Sequence, residues 1–223
     1  MAKQRIPETD KGIQGEFNAN AYDQMMRRSR DRGELQVQHL LQKGMTQGIA
    51  LEIGPGPGYI GLEWLKRTSN TVLKGLDISP EIIKIAERNA AEYSLSDRVE
   101  YRQGNGGDMP FDDNAFDVVF TYDSLHEWSQ PEETVNEIYR VLKPGARYLI
   151  SDLRRDIFIV VKWFLWLNTQ PKKIRSGLTA SINAAYLEHE IRALLERTRL
   201  CDSVIEKNTF GMVIYGSKRS VRA

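Results

Sequence analysis

The sequence predicts an α/β fold, a doubly wound and mostly parallel sheet with helices on both faces. Three observations predict it. From about residue 48, short β-branched runs alternate with longer helical patterns. The first run, residues 49–53, ends at a glycine cluster, residues 54–58, after which a helical pattern begins. Two late runs, 203–207 and 212–217, are close enough in sequence to form an antiparallel pair.

Length and composition limit what the chain can be. Its 223 residues suit one structural unit, and a hydrophobic share of 41% is enough for a packed core. The net charge of +1 argues against a protein that grips nucleic acid along a broad basic face. One cysteine and three dispersed histidines predict neither a disulfide framework nor a metal site.

The first ten residues are polar, which predicts no secretory signal. The longest apolar stretch, Ile157–Leu167, is interrupted by Lys162 and has about half the length that a membrane-spanning helix needs. We therefore expect a cytoplasmic protein.

Each element has its own justification. Residues 49–53 are an apolar strand, 71–77 form the second, 98–103 the third, 116–121 an apolar central one and 147–151 the fifth. Ser79 and Pro80 supply an N-cap and a first-turn proline for a helix that ends near Tyr93. Lys143-Pro144-Gly145 ends the helix that opens at Gln130.

Helical patterns lie outside these strands as well. Residues 59–67 and 182–198 have helical spacing. Residues 17–43 predict added helices, so we expect a helical cap over 1–47 and a Rossmann-like domain over 48–223. Residues 154–180 break the alternation and predict an insertion after the fifth strand.

The glycine loop is the most informative segment. Gly54, Gly56 and Gly58 let backbone approach a ligand at the start of a helix. Gly56-x-Gly58-x-x-Gly61 also fits the dinucleotide fingerprint, so the glycines alone leave NAD open. Glu52 beside the loop, with no Lys or Arg within it, favours a cationic cofactor such as S-adenosylmethionine. Asp77, at the end of the second strand, is placed to accept from ribose hydroxyls.

Later motifs separate these alternatives. In chain order they are Leu51 to Gly58, Leu76 to Ser79, Met109 to Asp117, Leu125 to Trp128 and Glu137 to Gly145. With them the chain resembles the class I SAM-dependent methyltransferases, specifically the small-molecule group that includes the ubiquinone and menaquinone methyltransferases. The resemblance covers about residues 48–152. It implies a seven-stranded mixed sheet of order 3-2-1-4-5-7-6 with strand 7 antiparallel, and S-adenosyl-L-methionine as cofactor.

The resemblance also implies roles for single residues. Glu52 and the loop glycines would hold the methionine end of the cofactor, Asp77 the ribose, and Ile78 the adenine. Where the family usually carries an acid for the adenine amino group, this chain has Asn105, followed by Gly106. An amide oxygen can still accept one hydrogen bond there. The remaining residues expected at the cofactor are Tyr22 and Thr121, although Tyr22 can equally be a core residue.

Three residues after the fourth strand are candidates for catalysis. His126 lies at the carboxyl edge of the sheet and can act as a general base, or it can only shape the cofactor pocket. Tyr122 and Asp123 can orient the acceptor. Methyl transfer depends mainly on proximity and in-line geometry, so a dedicated base is not required.

The aromatic segment 157–167 has several interpretations. It can be a lid that forms an apolar wall for the acceptor, a buried helix, a homodimer contact, or an interfacial helix followed by Lys172 and Lys173.

The favoured function is methyl transfer to an oxygen, nitrogen or sulfur atom of a small, apolar or aromatic molecule. One alternative is methylation of RNA or protein, which the near-neutral charge disfavours. Another is a non-catalytic protein that binds S-adenosylmethionine or its demethylated product.

Overall fold

A seven-stranded mixed sheet forms the centre of the protein. The computed structural model describes residues 4–8 and 12–220. The strand order is 3-2-1-4-5-7-6, as predicted, and β7 is antiparallel to both of its neighbours. The strands are β1 Gly48–Ile53, β2 Thr71–Asp77, β3 Val99–Gln103, β4 Phe116–Tyr122, β5 Leu142–Leu153, β6 Val204–Lys207 and β7 Gly211–Ser217. Because β1 to β5 are parallel, their carboxyl ends meet at one edge of the sheet.

Helices cover both faces of the sheet. They are α1 Glu16–Asp31, α2 Gln38–Gln42, α3 Tyr59–Lys66, α4 Pro80–Glu92, α5 Pro131–Val141, α6 Ile159–Asn168, α7 Arg175–Ala184 and α8 Glu188–Leu195. One apolar core lies between the sheet and α2, α3 and α4, a second lies under α5 and α8, and a small third cluster joins α1 to α4. Among the residues described, no helix has both the length and the apolar character needed to cross a membrane.

A buried carboxylate ties the added α1 helix to the rest of the protein. Asp23 is 6% exposed and accepts hydrogen bonds from the Tyr59 hydroxyl at 2.9 Å and from Asn89 Nδ2 at 3.0 Å. Arg88 pairs with its second oxygen at 2.7 Å. Because the carboxylate is paired and fully hydrogen-bonded, α1 is held against α3 and α4. This fixes its neighbour Tyr22 above the glycine loop.

The fifth strand is longer than the predicted 147–151. Lys143-Pro144-Gly145 does end α5, at Val141, but the chain enters β5 at once. Leu142 pairs with Phe116, and the next registered pair is Arg147 with Val118, so the intervening residues form an irregularity in the strand. Gly145, with φ of 81°, makes this bend possible.

The predicted helix over 182–198 is wrong, because the structure has two helices there. α7 ends at Ala184, and Leu187 adopts an extended conformation before α8 begins. Buried Arg155 donates to the carbonyl of Ala185 and pairs with Glu190 at 2.6 Å. Glu190 in turn accepts from the Leu187 N–H at 2.8 Å. The Ala185 carbonyl, which has no partner within a helix at this break, is thus satisfied by the side chain of Arg155, 30 residues earlier.

Candidate active site

The loop between β1 and α3 leaves no room for side chains. Gly54, Gly56 and Gly58 have φ of 64°, 54° and 83°, in the left-handed region that favours glycine. A Cβ at Gly54 would stand 2.9 Å from the Ser124 Cβ, and one at Gly56 would stand 3.1 Å from the Tyr22 ring. The loop therefore presents bare backbone and the start of α3 to a ligand that lies over it.

Asp77 ends β2 beside this loop. Its carboxylate accepts hydrogen bonds from the backbone N–H of Ser79, at 2.9 Å, and of Gly56. Burial raises the pKa of Asp77 to about 6, although the backbone donors oppose the shift. The two carboxylate oxygens still have lone pairs that could accept hydrogen bonds from two neighbouring hydroxyls. The predicted contact with the ribose requires this. Ile78 follows with 39% of its surface exposed, a large apolar side chain without full cover.

Asn105 and Gly106 lie in the turn after β3. The Asn105 Oδ1 accepts from the Gly107 N–H at 2.9 Å, so one of its lone pairs is already used. The second can still accept from an amino group. A Cβ at Gly106 would stand 3.0 Å from Thr134, so this turn also presents backbone.

Glu52 lies beneath the loop and is only 2% exposed. Its Oε2 packs against Gly61 of α3 and has no hydrogen-bond partner in the described part of the chain. Burial raises the pKa of Glu52 well above its usual range, and the charge of Asp77 adds to the shift. The structure therefore places this carboxyl where it can support the loop from below.

Acidic side chains surround the opening of the cleft. Tyr22 is buried enough for its pKa to be raised, and the charges of Asp123, Glu127 and Asp77 add to that shift. Burial likewise raises the pKa of Glu127 to about 7, with His126 opposing the shift and Glu8 adding to it. The Glu127 side chain keeps 35% of its surface exposed, so water moderates this effect. The cleft therefore has an electronegative rim.

The three residues at the end of β4 point in different directions. The Thr121 hydroxyl bonds the Ser124 hydroxyl beside the loop. The Tyr122 hydroxyl donates to the Gln36 carbonyl at 3.1 Å, on the side of the N-terminal helices, so the structure does not bring it to His126. Asp123 has a φ of 51°. Part of its surface is exposed to solvent, and protein surrounds the rest. That enclosure and the charge of Asp152 raise the pKa of Asp123.

His126 and Asp152 form a buried pair at the carboxyl edge of β4 and β5. The side chains are each 2% exposed, and the His126 Nδ1 lies 2.7 Å from the Asp152 Oδ1. The other carboxylate oxygen accepts from the His126 backbone N–H, also at 2.7 Å. The His126 Nε2 has no hydrogen-bond partner among the described residues. This arrangement fixes the ring and leaves one nitrogen available for chemistry.

The N-terminal segment, residues 4–8, lies over this nitrogen. Arg5 donates to the carbonyls of Ala184 at 2.6 Å and His126 at 3.1 Å. The Ile6 N–H donates to the Asn183 carbonyl at 3.1 Å. The segment thereby places the Glu8 Oε2 at 3.5 Å from the His126 Nε2.

The sequence interpretation missed Asp152, Glu127 and Glu8. Asp152 follows Ser151, which pairs with Tyr122 in the β4–β5 register, so that register would have placed it beside the end of β4. Glu127 is adjacent to His126 in the motif from Leu125 to Trp128. That motif served only as evidence of the family resemblance, and no role was assigned to Glu127. Nothing in the local sequence indicates Glu8, because its position depends on contacts made by Arg5 and Ile6.

Comparisons with known proteins show methyltransferases among the proteins that this chain resembles. Residues 51–150 match the Methyltransferase domain family. The ubiquinone/menaquinone biosynthesis C-methyltransferase UbiE of Ruegeria sp. is 28% identical over 158 residues, covering 66% of this chain and 62% of that protein. Ajmaline N-methyltransferase of Rauvolfia serpentina is 35% identical over 108 residues, or 48% of this chain and 37% of that protein.

A solved structure extends the likeness to nearly the whole chain. It belongs to a Methanococcus maripaludis protein assigned to the S-adenosyl-L-methionine-dependent methyltransferases. The match has a TM-score of 0.72 and 20% identity, and covers 98% of this chain and 99% of that one. At this identity the likeness shows the fold. The chain spans about three fifths of the length of the UbiE relatives that it matches. The family match over residues 51–150, the motifs and the topology thus make the chain similar to the class I SAM-dependent methyltransferases, whose cofactor is S-adenosylmethionine.

Proposed function

We propose that this protein transfers the methyl group of S-adenosylmethionine to an oxygen, nitrogen or sulfur atom of a small apolar or aromatic molecule. The observation that carries the proposal is the His126–Asp152 pair. It holds a buried imidazole whose Nε2 has no hydrogen-bond partner among the described residues and lies 3.5 Å from the Glu8 Oε2, at the edge of a cleft whose other residues suit this cofactor.

The residues of the cleft fit the cofactor in shape and charge. When bound, S-adenosylmethionine supplies an electrophilic methyl group on a positively charged sulfur. The rim carboxylates Asp77, Asp123 and Glu127 suit a ligand with sulfonium and ammonium groups. The loop from Gly54 to Gly58 offers bare backbone, and it contains no Lys or Arg that would hold a pyrophosphate.

His126 is suited to accept a proton from the acceptor. If the Nδ1–H donates to Asp152, the lone pair stays on Nε2, where an O–H, N–H or S–H group can give up its proton. Burial alone would lower the pKa of His126, but the charge and hydrogen bond of Asp152 outweigh it and raise the pKa to about 9. The ring is therefore a stronger base than free imidazole and must first lose its own proton.

The acceptor has to reach Nε2 past the N-terminal segment. Glu8 Oε2 lies 3.5 Å from this nitrogen, where the acceptor atom would bind. We infer that residues 4–8 shift when the acceptor enters, which would break the hydrogen bonds of Arg5 and Ile6, the stacking of Arg5 on the Tyr186 ring and the pair between Glu8 and His126.

The test is transfer of isotope-labelled methyl groups from the cofactor into a cell metabolite extract, followed by mass identification of the product. The wild type should label one small molecule. His126→Asn should not, because the amide Nδ2 can still donate to Asp152 while Nε2 is lost. His189→Asn is the matched control, since His189 is exposed on α8.

Other results would overturn the proposal. Label in RNA or protein would indicate a macromolecular acceptor. Tight cofactor binding without any transfer would indicate a binding protein without catalytic activity. Equal labelling by the wild type and His126→Asn would remove His126 from the chemistry.

A further inference from the structure

The α6 helix and the residue before it carry an unusual concentration of exposed apolar side chains. Of the fourteen large apolar side chains that are exposed in the described part of the chain, seven lie between residues 158 and 167. α6 has no buried residue, so the interpretation as a buried helix within this chain is wrong. We call residues 158–167 the α6 surface. Its most exposed members are Phe158 at 80%, Val160 at 74%, Ile159 at 68% and Trp163 at 63%.

This surface belongs to a basic part of the sequence. Residues 157–187 contain Lys162, Lys172, Lys173 and Arg175 and no Asp or Glu. Since the whole chain has a net charge of +1, all other residues together carry −3. The basic residues stay close to the aromatic ones: the Arg175 guanidinium lies 4.2 Å from the Trp166 ring centroid. A positive apolar helix thus stands on a protein that is otherwise slightly negative.

We propose that the α6 surface, with the basic residues that follow it, binds an anionic lipid surface. Trp rings are suited to the boundary between headgroups and acyl chains, and Phe, Ile and Val side chains to the acyl region below it. Lys172 and Lys173, which follow α6 in the chain, supply positive charge for the anionic headgroups, and the Lys173 Nζ lies 3.4 Å from the ring centroid of exposed Phe17. α6 has ten residues, about 15 Å of helix, so it lies in the interface and does not span the bilayer.

Charge favours a lipid surface over a second copy of the chain. A symmetric dimer through α6 would bring two segments of charge +4 together without an acid of their own. An anionic membrane satisfies the same cations and covers the same apolar side chains.

The α6 surface adjoins a groove between α6 and α7. Ile159, Trp163 and Trp166 of α6 face Leu178 and Ile182 of α7 across a groove of about 390 Å³. Asn183 closes this groove at the end of α7, and its carbonyl accepts from Ile6 of the segment that covers His126. An apolar acceptor dissolved in lipid would therefore enter beside α6. This last step rests on the proposed function, whereas lipid binding does not.

Flotation of the full chain with vesicles tests the proposal without cofactor or acceptor. One set of vesicles is pure phosphatidylcholine, and the other contains equal parts of phosphatidylcholine and phosphatidylglycerol. We expect at least about tenfold more protein on the anionic vesicles, with a blue shift of Trp fluorescence and weakening by salt. The double variant W163D/F164D should lose binding, and K172E/K173E should lose the preference for anionic lipid. Phe210→Asp, at an exposed apolar residue elsewhere, is the control.

The variants alter exposed side chains, and their melting temperatures and cofactor affinities should equal those of the wild type. Absence of binding to anionic vesicles, or equal binding by wild type and W163D/F164D, would overturn the proposal. A wild-type dimer that W163D/F164D dissociates in lipid-free buffer would show that a second copy covers α6. Loss of methyl transfer with retained vesicle binding would contradict the proposed function alone.

Discussion

The two sides of the cleft are built in different ways. The cofactor side, residues 54–58 with Asp77, consists of adjacent strand ends and of backbone that no side chain can occupy. The acceptor side, His126 with Asp152 and residues 4–8, is assembled from three distant segments and depends on side-chain contacts. Under the proposed function, the comparison teaches that backbone shape would specify the cofactor, whereas the chemistry would depend on one hydrogen-bonded pair. Substitutions on the two sides should therefore affect different measurements.

The largest expected effect is on the acceptor side. His126→Asn should lower turnover about 100- to 10,000-fold, the range of a lost general base. The cofactor dissociation constant should stay within about twofold, because this side chain is held by Asp152 and not by the loop. Turnover and calorimetric affinity of the same preparation check both halves of the expectation. A variant that loses cofactor affinity as strongly as turnover would remove the distinction between the two sides.

The next effect is confined to the cofactor side. Gly56→Val should weaken cofactor binding at least about 100-fold, since it combines an unfavourable φ with a side chain in the ligand's space. Calorimetry with S-adenosylmethionine and its demethylated product measures the loss. Gly177→Val is a suitable control, because a Cβ there meets nothing within 4 Å. A folded Gly56→Val protein with normal affinity would show that the loop is not the cofactor cradle.

Asp77→Ala should have a smaller effect on the same side. Loss of a charged acceptor for two hydroxyls costs about 1–3 kcal/mol, or about 5- to 150-fold in affinity. The melting temperature of the ligand-free protein should change little, because loss of the hydrogen bonds from Ser79 and Gly56 is offset by removal of a carboxylate that burial disfavours. Unchanged cofactor affinity would mean that the ribose binds elsewhere.

The smallest effect is the pH dependence of cofactor binding. The pKa of Asp77 is raised to about 6 and that of Glu127 to about 7, so both carboxyls lose protons as pH rises from 5 to 7.5. A cationic ligand prefers the ionised rim, and its affinity should rise about three- to tenfold over this interval. Asp77→Asn should reduce the dependence. Affinity that is flat or falls with pH would argue against electrostatic recognition by this rim.

The same comparison explains which features could be predicted from sequence. The glycine loop and Asp77 were predictable because contiguous motifs encode them, and the strand order followed from the family resemblance that those motifs carry. The His126–Asp152 pair depends on strand register across 26 residues, and the position of Glu8 depends on Arg5 reaching Ala184. The break between α7 and α8 was missed because Arg155, not a local capping residue, takes the Ala185 carbonyl. These three features depend on side-chain contacts between residues far apart in sequence, and local sequence patterns do not encode such contacts.

The most direct test of the account is the pH profile of kcat/KM for methyl transfer, in the wild type and in Asp152→Asn. His126 must lose its proton before it can accept another, so the wild-type rate should rise with pH up to about 9, where its pKa lies. Removing the Asp152 charge should lower the maximal rate. It should also shift the rising limb of the pH profile to lower pH. A wild-type profile that is flat between pH 6 and 10, or a limb that Asp152→Asn leaves in place, would contradict the assignment of this pair as the proton acceptor.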